Sequence, residues 1–266
     1  MSGLGRIETQ LCTCGKPLFQ CATWGDPIHR AFRSESQFLE YAARASNLAR
    51  IQNLICLPRI LSAPRTMELL GQEVAFFKEL CRDYNGVIDS SKELTRGILL
   101  AFGPTKATWV HIVRHPGEVI QSGRDRVRRG VPIKIYRRRY NVPSFLLPVL
   151  DVALGLLWLV WTLITFLIGR SLLRKRYICV SYEEFTRDPQ GVSTRVAERV
   201  GIPVSGPAIQ DRISGDIPVG HILGGNRMST ATTFRIARHE GKPTSLVTRV
   251  MTFWLLPLYW LLTKCR

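Results

Sequence analysis

The sequence predicts an α/β fold: a three-layer domain with a central parallel sheet, extended by apolar helices. Three observations predict it. The runs Trp109-Val110-His111-Ile112-Val113 and Tyr177-Ile178-Cys179-Val180 are short, apolar and β-branched, and read as buried strands. Helical stretches lie between the strand candidates, and strand–helix–strand alternation favours parallel strands with helices on both faces. Segments 145–170 and 246–266 are strongly apolar and read as added helices. The 266 residues are read as a single domain with a sizeable core.

Composition bounds the function. Hydrophobic residues make up 45% and charged residues 21%, which excludes a disordered chain. The net charge of +17 favours anionic partners: nucleotides, sulfated or phosphorylated substrates, nucleic acid or an anionic membrane. No nucleic-acid-binding motif accompanies the charge, so no nucleic-acid partner is expected. Seven cysteines, an odd number without even spacing, predict reduced thiols inside the cell. The first residues, Met1 to Arg6, have no apolar core of a secretory signal.

In order along the chain, residues 1–30 are rich in Cys, Gly and Pro and predict loop with short turns. Residues 34–55 predict a helix, with Ser34 as N-cap, Gln37 completing a capping box, and Phe38, Tyr41, Ala42, Ala45 and Leu48 on one face. Residues 66–84 predict a second amphipathic helix, and Gly86-Val87-Ile88-Asp89 a short strand. Ligands of such sheets bind beyond the carboxyl ends of the strands. Those ends carry Asp89-Ser90-Ser91-Lys92, then Arg114-His115-Pro116-Gly117 with Ser122 on the next helix, then Ser181-Tyr182-Glu183-Glu184.

Arg114 leaves a strand, Pro116 suits the first turn of a helix, and Ser122 lies about two turns into it. A forked guanidinium, helix N–H groups and a hydroxyl together suit a phosphate. The alternative is an Arg114–Glu118 surface pair with Ser122 facing solvent. Cys12, Cys14 and Cys21 suggest metal ligands, but C-x-C-x6-C departs from paired zinc spacing, and His29 is the one fourth partner nearby. The segment is therefore read as a structural loop on the substrate side, with no metal; zinc is the alternative.

These residues carry a resemblance. "VHIVRHPGEVIQS" resembles the 3′-phosphate motif of the PAPS-dependent sulfotransferases, which use 3′-phosphoadenosine-5′-phosphosulfate. The resemblance implies that Arg114 and Ser122 hold the 3′-phosphate. His115 stands where an Asp or Asn is usual, and Gly117 where a second Arg is common. "VSYEEFTRDP" is similar to the family's tyrosine–acid–acid segment and implies Tyr182 beside the adenine, with Ser181 where an Arg is usual. Glu183 and Glu184 are read as bracing the next helix. "HILGGNRM" is similar to the late glycine-rich loop of bacterial members, which implies that Gly224, Gly225 and Arg227 close over the nucleotide; "LCTCGKPLFQCATW" also resembles a stretch near their front.

"VIDSSK" would lie at the mouth of the site. Lys92 would stabilise charge building on the leaving phosphate oxygen, and Asp89 would be the base or orient Lys92. His29, His111 and His221 are alternative bases, with His111 read as a core histidine inside a strand. The family normally opens with a strand and a 5′-phosphosulfate loop, whereas the Cys-rich segment here already begins at residue 12. The expectation is thus a P-loop-like sulfotransferase fold without its N-terminal βα unit. The function expected is sulfuryl transfer from PAPS to a hydroxyl or amine. The alternative is a truncated, inactive PAP/PAPS-binding or membrane-associated basic protein.

Val152 to Gly169 carries no charge and would be about 27 Å long as a helix, close to a bilayer core. A single crossing would separate Arg114 and Ser122 from Tyr182, so a helix lying in the interface, or packed in a core or dimer contact, is expected instead. Gly155, Thr162, Thr165 and Gly169 fall near one face and permit close packing. The run Val250–Thr263 would lie in the same plane, and the basic stretch Arg124–Arg139 would attract anionic lipid. The expected location is the cytoplasm, at the inner face of the membrane, with a lipid or glycolipid acceptor.

Overall fold

A computed structural model of the chain describes residues 11–49, 59–60, 62–82, 88, 94–102, 107–135, 138–202, 217–218, 220–221, 233–234 and 245–264. They fall into two units, Met1–Ala107 with Gly201–Ile236, and Thr108–Val200 with Ala237–Arg266.

The first unit is mainly helical: α1 (Gly25–Ala31), α2 (Glu35–Leu48), α3 (Pro64–Leu80) and α4 (Leu94–Phe102). Ser34 caps α2 as expected, its hydroxyl accepting from the Gln37 N–H at 3.2 Å. The Gln37 side chain accepts from the Arg33 N–H at 2.7 Å rather than from Ser34, so the reciprocal bond closes one residue early. Pro64 opens α3 at a position where its missing N–H costs nothing. Residues 11–30 are more ordered than expected of the 1–30 loop. Leu18, in a 3-10 turn, and Ile28, in α1, are almost fully buried in a core with Phe32, Phe38, Tyr41 and Phe76. The rings of Phe32 and Phe38 meet edge to face at 5.2 Å, and Phe38 lies 5.8 Å from Phe76. A seven-residue helix offers too few periodic positions to be legible beforehand.

The second unit begins with β1 (Trp109–Val113) and α5 (Pro116–Arg128). The ribbon strands β2 (Ile133–Ile135) and β3 (Arg138–Tyr140) lead into α6 (Leu147–Ile168). β4 (Tyr177–Ser181), α7 (Tyr182–Arg187), α8 (Pro189–Val200) and α9 (Leu246–Lys264) follow. β1 and β4 pair in parallel, Trp109 opposite Tyr177 and Val113 opposite Ser181. The two strands therefore end level, and Arg114 and Tyr182 leave the sheet side by side. Among the described residues the parallel sheet has these two strands. Of the expected strand Gly86–Asp89, only Ile88 lies within them. The observed class is α/β, mostly helical, with a small parallel sheet and apolar helices.

One face of the sheet packs on α6 and α9 through Val113, Trp158, Leu255 and Tyr259. On the other face Ile178 and Val180 pack on Val192 of α8, while Val110 and Ile112 of β1 are exposed. α6 runs antiparallel to the strands. Its Trp158 meets Arg114 at the carboxyl end of β1, and Gly169, just past its end, packs on the Tyr177 ring at the start of β4. A Cβ on Gly155 would come within 2.7 Å of Met251 in α9, so the small-residue face is the packed face. Beyond the sheet, α5, α6 and α9 are tied together by a buried cluster. Arg124 donates to Asp151 at 2.6 Å, and the hydroxyls of Ser245 and Thr248 donate to the same carboxylate oxygen at 3.0 and 2.9 Å.

Candidate functional site

At the carboxyl edge of the β1–β4 pair, the Arg114 guanidinium carbon lies over the Tyr182 ring, 5.1 Å from its centroid. Such stacking orients the guanidinium and leaves its edge donors free to act. Arg114 Nε is buried and has no hydrogen-bond partner among the described residues. The far end of the guanidinium lies 3.7 Å from Glu118 Oε2, a loose ion pair. Ser122 is exposed on α5, one turn beyond Glu118 on the same face. The Arg114–Glu118 pair raised as the alternative is thus present, yet it leaves one guanidinium nitrogen unsatisfied. An uncompensated buried donor is costly and favours an incoming acceptor.

The surroundings hold this edge firmly. Trp158 Nε1 donates to the Arg114 carbonyl at 2.9 Å. The Glu183 carboxylate accepts from the His115 N–H at 2.7 Å, the Ser181 hydroxyl at 3.0 Å and the Tyr259 hydroxyl at 2.7 Å. Burial pushes the Glu183 carboxyl up, but these hydrogen bonds outweigh it and hold the group below its ordinary value. Ser181 also caps α7 by accepting from the Glu184 N–H, and Glu184 pairs with Arg195 of α8 at 2.6 Å. The two acids brace the strand end and its helices.

His115, Gly117 and Ser181 all face α9. His115 meets the Tyr259 ring edge to face at 5.2 Å, the Ser181 hydroxyl oxygen lies 3.0 Å from that of Tyr259, and a Cβ on Gly117 would come within 2.8 Å of Thr252. Each position is fitted to α9. A side chain at 117 would crowd the Thr252 hydroxyl and the His115 ring.

Asp89, Lys92, Gly224, Gly225 and Arg227 lie outside the described residues. A cavity of about 100 Å³ runs along β4 among Tyr177, Cys179, Arg170 and Arg195, away from the Arg114 edge. His111 bonds the Tyr177 hydroxyl through Nδ1 at 2.7 Å, and burial lowers its imidazole to about 4. A base so placed is neutral and structural, in line with its reading as a core histidine.

A second cluster lies in the first unit. The ligand atoms of Cys12, Cys14, Cys21 and His221 all fall within 4.8 Å of one another. Cys12 and Cys21 are buried, and none of the three thiols is in a disulfide. His29 is not part of it: its ring sits against Phe19. The fourth partner is His221, two hundred positions beyond Cys21, which local spacing could not reveal. The Cys14 thiol is drawn down to about 7, chiefly by a backbone hydrogen bond at Lys16, while burial pushes the Cys21 thiol up.

No protein-family model, curated protein or solved structure matches this chain.

Proposed function

We propose that the chain is a sulfotransferase-like protein that transfers a sulfuryl group from PAPS to a hydroxyl or amine acceptor. The observation that carries this reading is Arg114 at the edge of the parallel strand pair, stacked on Tyr182 with a buried Nε in want of an acceptor. A phosphate would fill that want, and Tyr182 would flank the purine. Ser122, on the same face of α5, would add a hydroxyl donor. When bound, the cofactor supplies an activated sulfuryl group. Lys92 and Asp89 keep the catalytic roles, and Gly224, Gly225 and Arg227 the nucleotide contacts, that the sequence resemblance implies.

The reading entails a sheet larger than two strands, the three-layer P-loop-like arrangement. The exposure of Val110 and Ile112 on one face of β1 supports it, since further strands and helices would cover them.

We propose a lipid or glycolipid acceptor, and action at the inner face of a membrane. Two helices, within Ser144–Arg176 and Leu246–Lys264, are long and apolar enough to cross a bilayer, and about a fifth of each apolar window (22%) is buried. Val149 on α6 and Phe253 and Trp254 on α9 are 65, 70 and 73% exposed. The other sides of these helices pack on the sheet and on α5, which favours lying in the interface over crossing it. Exposed Arg126, Arg128 and Arg129 at one end, and Arg170 and Lys175 at the other, would meet anionic headgroups.

The test is transfer of labelled sulfate from PAPS to a panel of glycolipid, hydroxyl and amine acceptors, the lipids presented in vesicles. Labelled product is expected from at least one lipid acceptor. Nucleotide binding without transfer to any acceptor would favour the competing reading, a nucleotide-binding membrane protein that is not an enzyme.

A further inference from the structure

We infer that Cys12, Cys14, Cys21 and His221 form a structural zinc site, a closed set of three thiolates and one imidazole that staples the first unit together. The inference is independent of the nucleotide reading.

The distances suit a tetrahedron around one ion. With Zn–S near 2.3 Å and Zn–N near 2.0–2.1 Å, two thiolate sulfurs of a tetrahedral site lie about 3.8 Å apart, and a sulfur and a nitrogen about 3.5 Å. Cys14 and Cys21 sulfurs are 3.7 Å apart, and His221 Nδ1 is 3.5 Å from the Cys12 sulfur and 3.2 Å from that of Cys21. A disulfide would need about 2.05 Å between sulfurs. Direct packing of three thiols and an imidazole gains little by itself, because a thiol is a weak donor and acceptor.

The surrounding backbone is shaped to present these atoms. Leu11 and Pro17 form an antiparallel bridge, the Cys12 N–H donates to the Lys16 carbonyl at 2.9 Å, and the Gly15 N–H donates to the Cys12 carbonyl at 2.8 Å. Gly15 closes the turn at φ +81°, a conformation that other residues rarely adopt. The turn directs Cys12 and Cys14 to one side. A 3-10 turn at Leu18–Gln20 then returns Cys21 to them. On the other side of the site, Trp24 Nε1 donates to the His221 carbonyl at 3.1 Å, and the Thr13 hydroxyl donates to the Gly220 carbonyl. His221 is thus held at its main chain as well as its ring, as hydrogen bonds behind the ligands fix them in metal sites.

Ligand type selects the ion. Three thiolates with one imidazole and no open position suit zinc in a structural rather than catalytic role. The site closes a loop of two hundred positions between Cys21 and His221, so its effect is to restrict the unfolded chain and fix the termini of the unit. His221 also begins the "HILGGNRM" stretch.

The test is the metal content of the full-length protein, purified under reducing conditions and dialysed against a weak chelator. About one zinc per chain is expected for a site of this kind. Cys21→Ser and His221→Ala should each lower retention at least tenfold, whereas His221→Cys, which keeps a zinc ligand, should hold the metal. Because a variant can fail to fold, the wild-type protein is also reloaded with cobalt. A thiolate-to-cobalt charge-transfer band with tetrahedral ligand-field bands is expected. Wild-type protein that retains no zinc, cobalt bound without a thiolate band, or a Cys14–Cys21 disulfide in the reduced preparation would each overturn the inference.

Discussion

The indole Nε1 of Trp158 donates a 2.9 Å hydrogen bond to the main-chain carbonyl of Arg114, so the long apolar helix α6 holds the residue that follows β1. The apolar segment is therefore more than an appendage. It secures the backbone of the cation stacked on Tyr182 at the strand edge.

Trp158→Phe keeps most of the buried ring and removes the donor. We expect a loss of about 1–2 kcal/mol in stability from the unsatisfied carbonyl, read from urea unfolding. Nucleotide affinity should fall by less than it does for Arg114→Ala, since the guanidinium itself remains. A variant as stable as the wild type would show that the hydrogen bond is dispensable.

Asp151 is fully buried and pairs with Arg124, itself only 8% exposed. Removing one partner strands the other charge. Asp151→Ala should cost about 3–5 kcal/mol, and the double substitution Arg124→Met with Asp151→Leu should lie closer to the wild type than either single change. Additive losses in thermal unfolding would contradict the pairing.

Among the described residues, His111 and Glu183 contribute to acid sensitivity. His111 titrates near 4 in the folded protein against an ordinary 6.5, because burial disfavours its charged form. The unfolded chain takes up the proton first, so stability is full above about 6.5 and falls as pH drops towards 4. Discounted for the ring's partial exposure, the loss is about 2 kcal/mol, and His111→Gln should remove it. Glu183 lies below its ordinary 4.5, so its contribution is present above that value and is lost as pH falls through the lower folded one. Glu183→Gln should abolish this second, more acidic phase. Unfolding midpoints measured across the acid range separate the two.

The exposed faces of α6 and α9 predict binding to vesicles. The protein should float with liposomes containing phosphatidylserine, and less so with neutral ones or at high salt. Leu157→Glu with Trp254→Glu changes only exposed positions and should leave the fold intact while abolishing flotation. Flotation unaffected by these changes would contradict an interfacial role for the two helices.

Much of the second unit was legible in advance because its signals are local. Trp109–Val113 and Tyr177–Ser181 are compact β-branched runs, and Pro116 marks the helix start that follows. Ser34 and Gln37 likewise announce α2, though it ends at Leu48 rather than 55. What spacing could not reveal is long-range. Nothing near Arg114 indicates that Trp158 reaches its carbonyl, or that Tyr259 explains His115 and Ser181. His221 offers the same lesson: its partners are Cys12 and Cys21, far up the chain, whereas the nearby His29 packs on Phe19. Contacts of this kind depend on how the helices return to the sheet or the turn, which no short window of sequence contains.

Phosphate binding at Arg114 is tested most directly by calorimetric titration of the full-length protein with 3′-phosphoadenosine-5′-phosphate, and with adenosine 5′-phosphate as the analogue lacking the 3′-phosphate. The 3′-phosphate should strengthen binding to the wild type, and Arg114→Ala should weaken it by roughly 2 kcal/mol or more, the worth of such charged hydrogen bonds. Equal affinity for the two nucleotides, or an affinity unchanged in a folded Arg114→Ala variant, would contradict it.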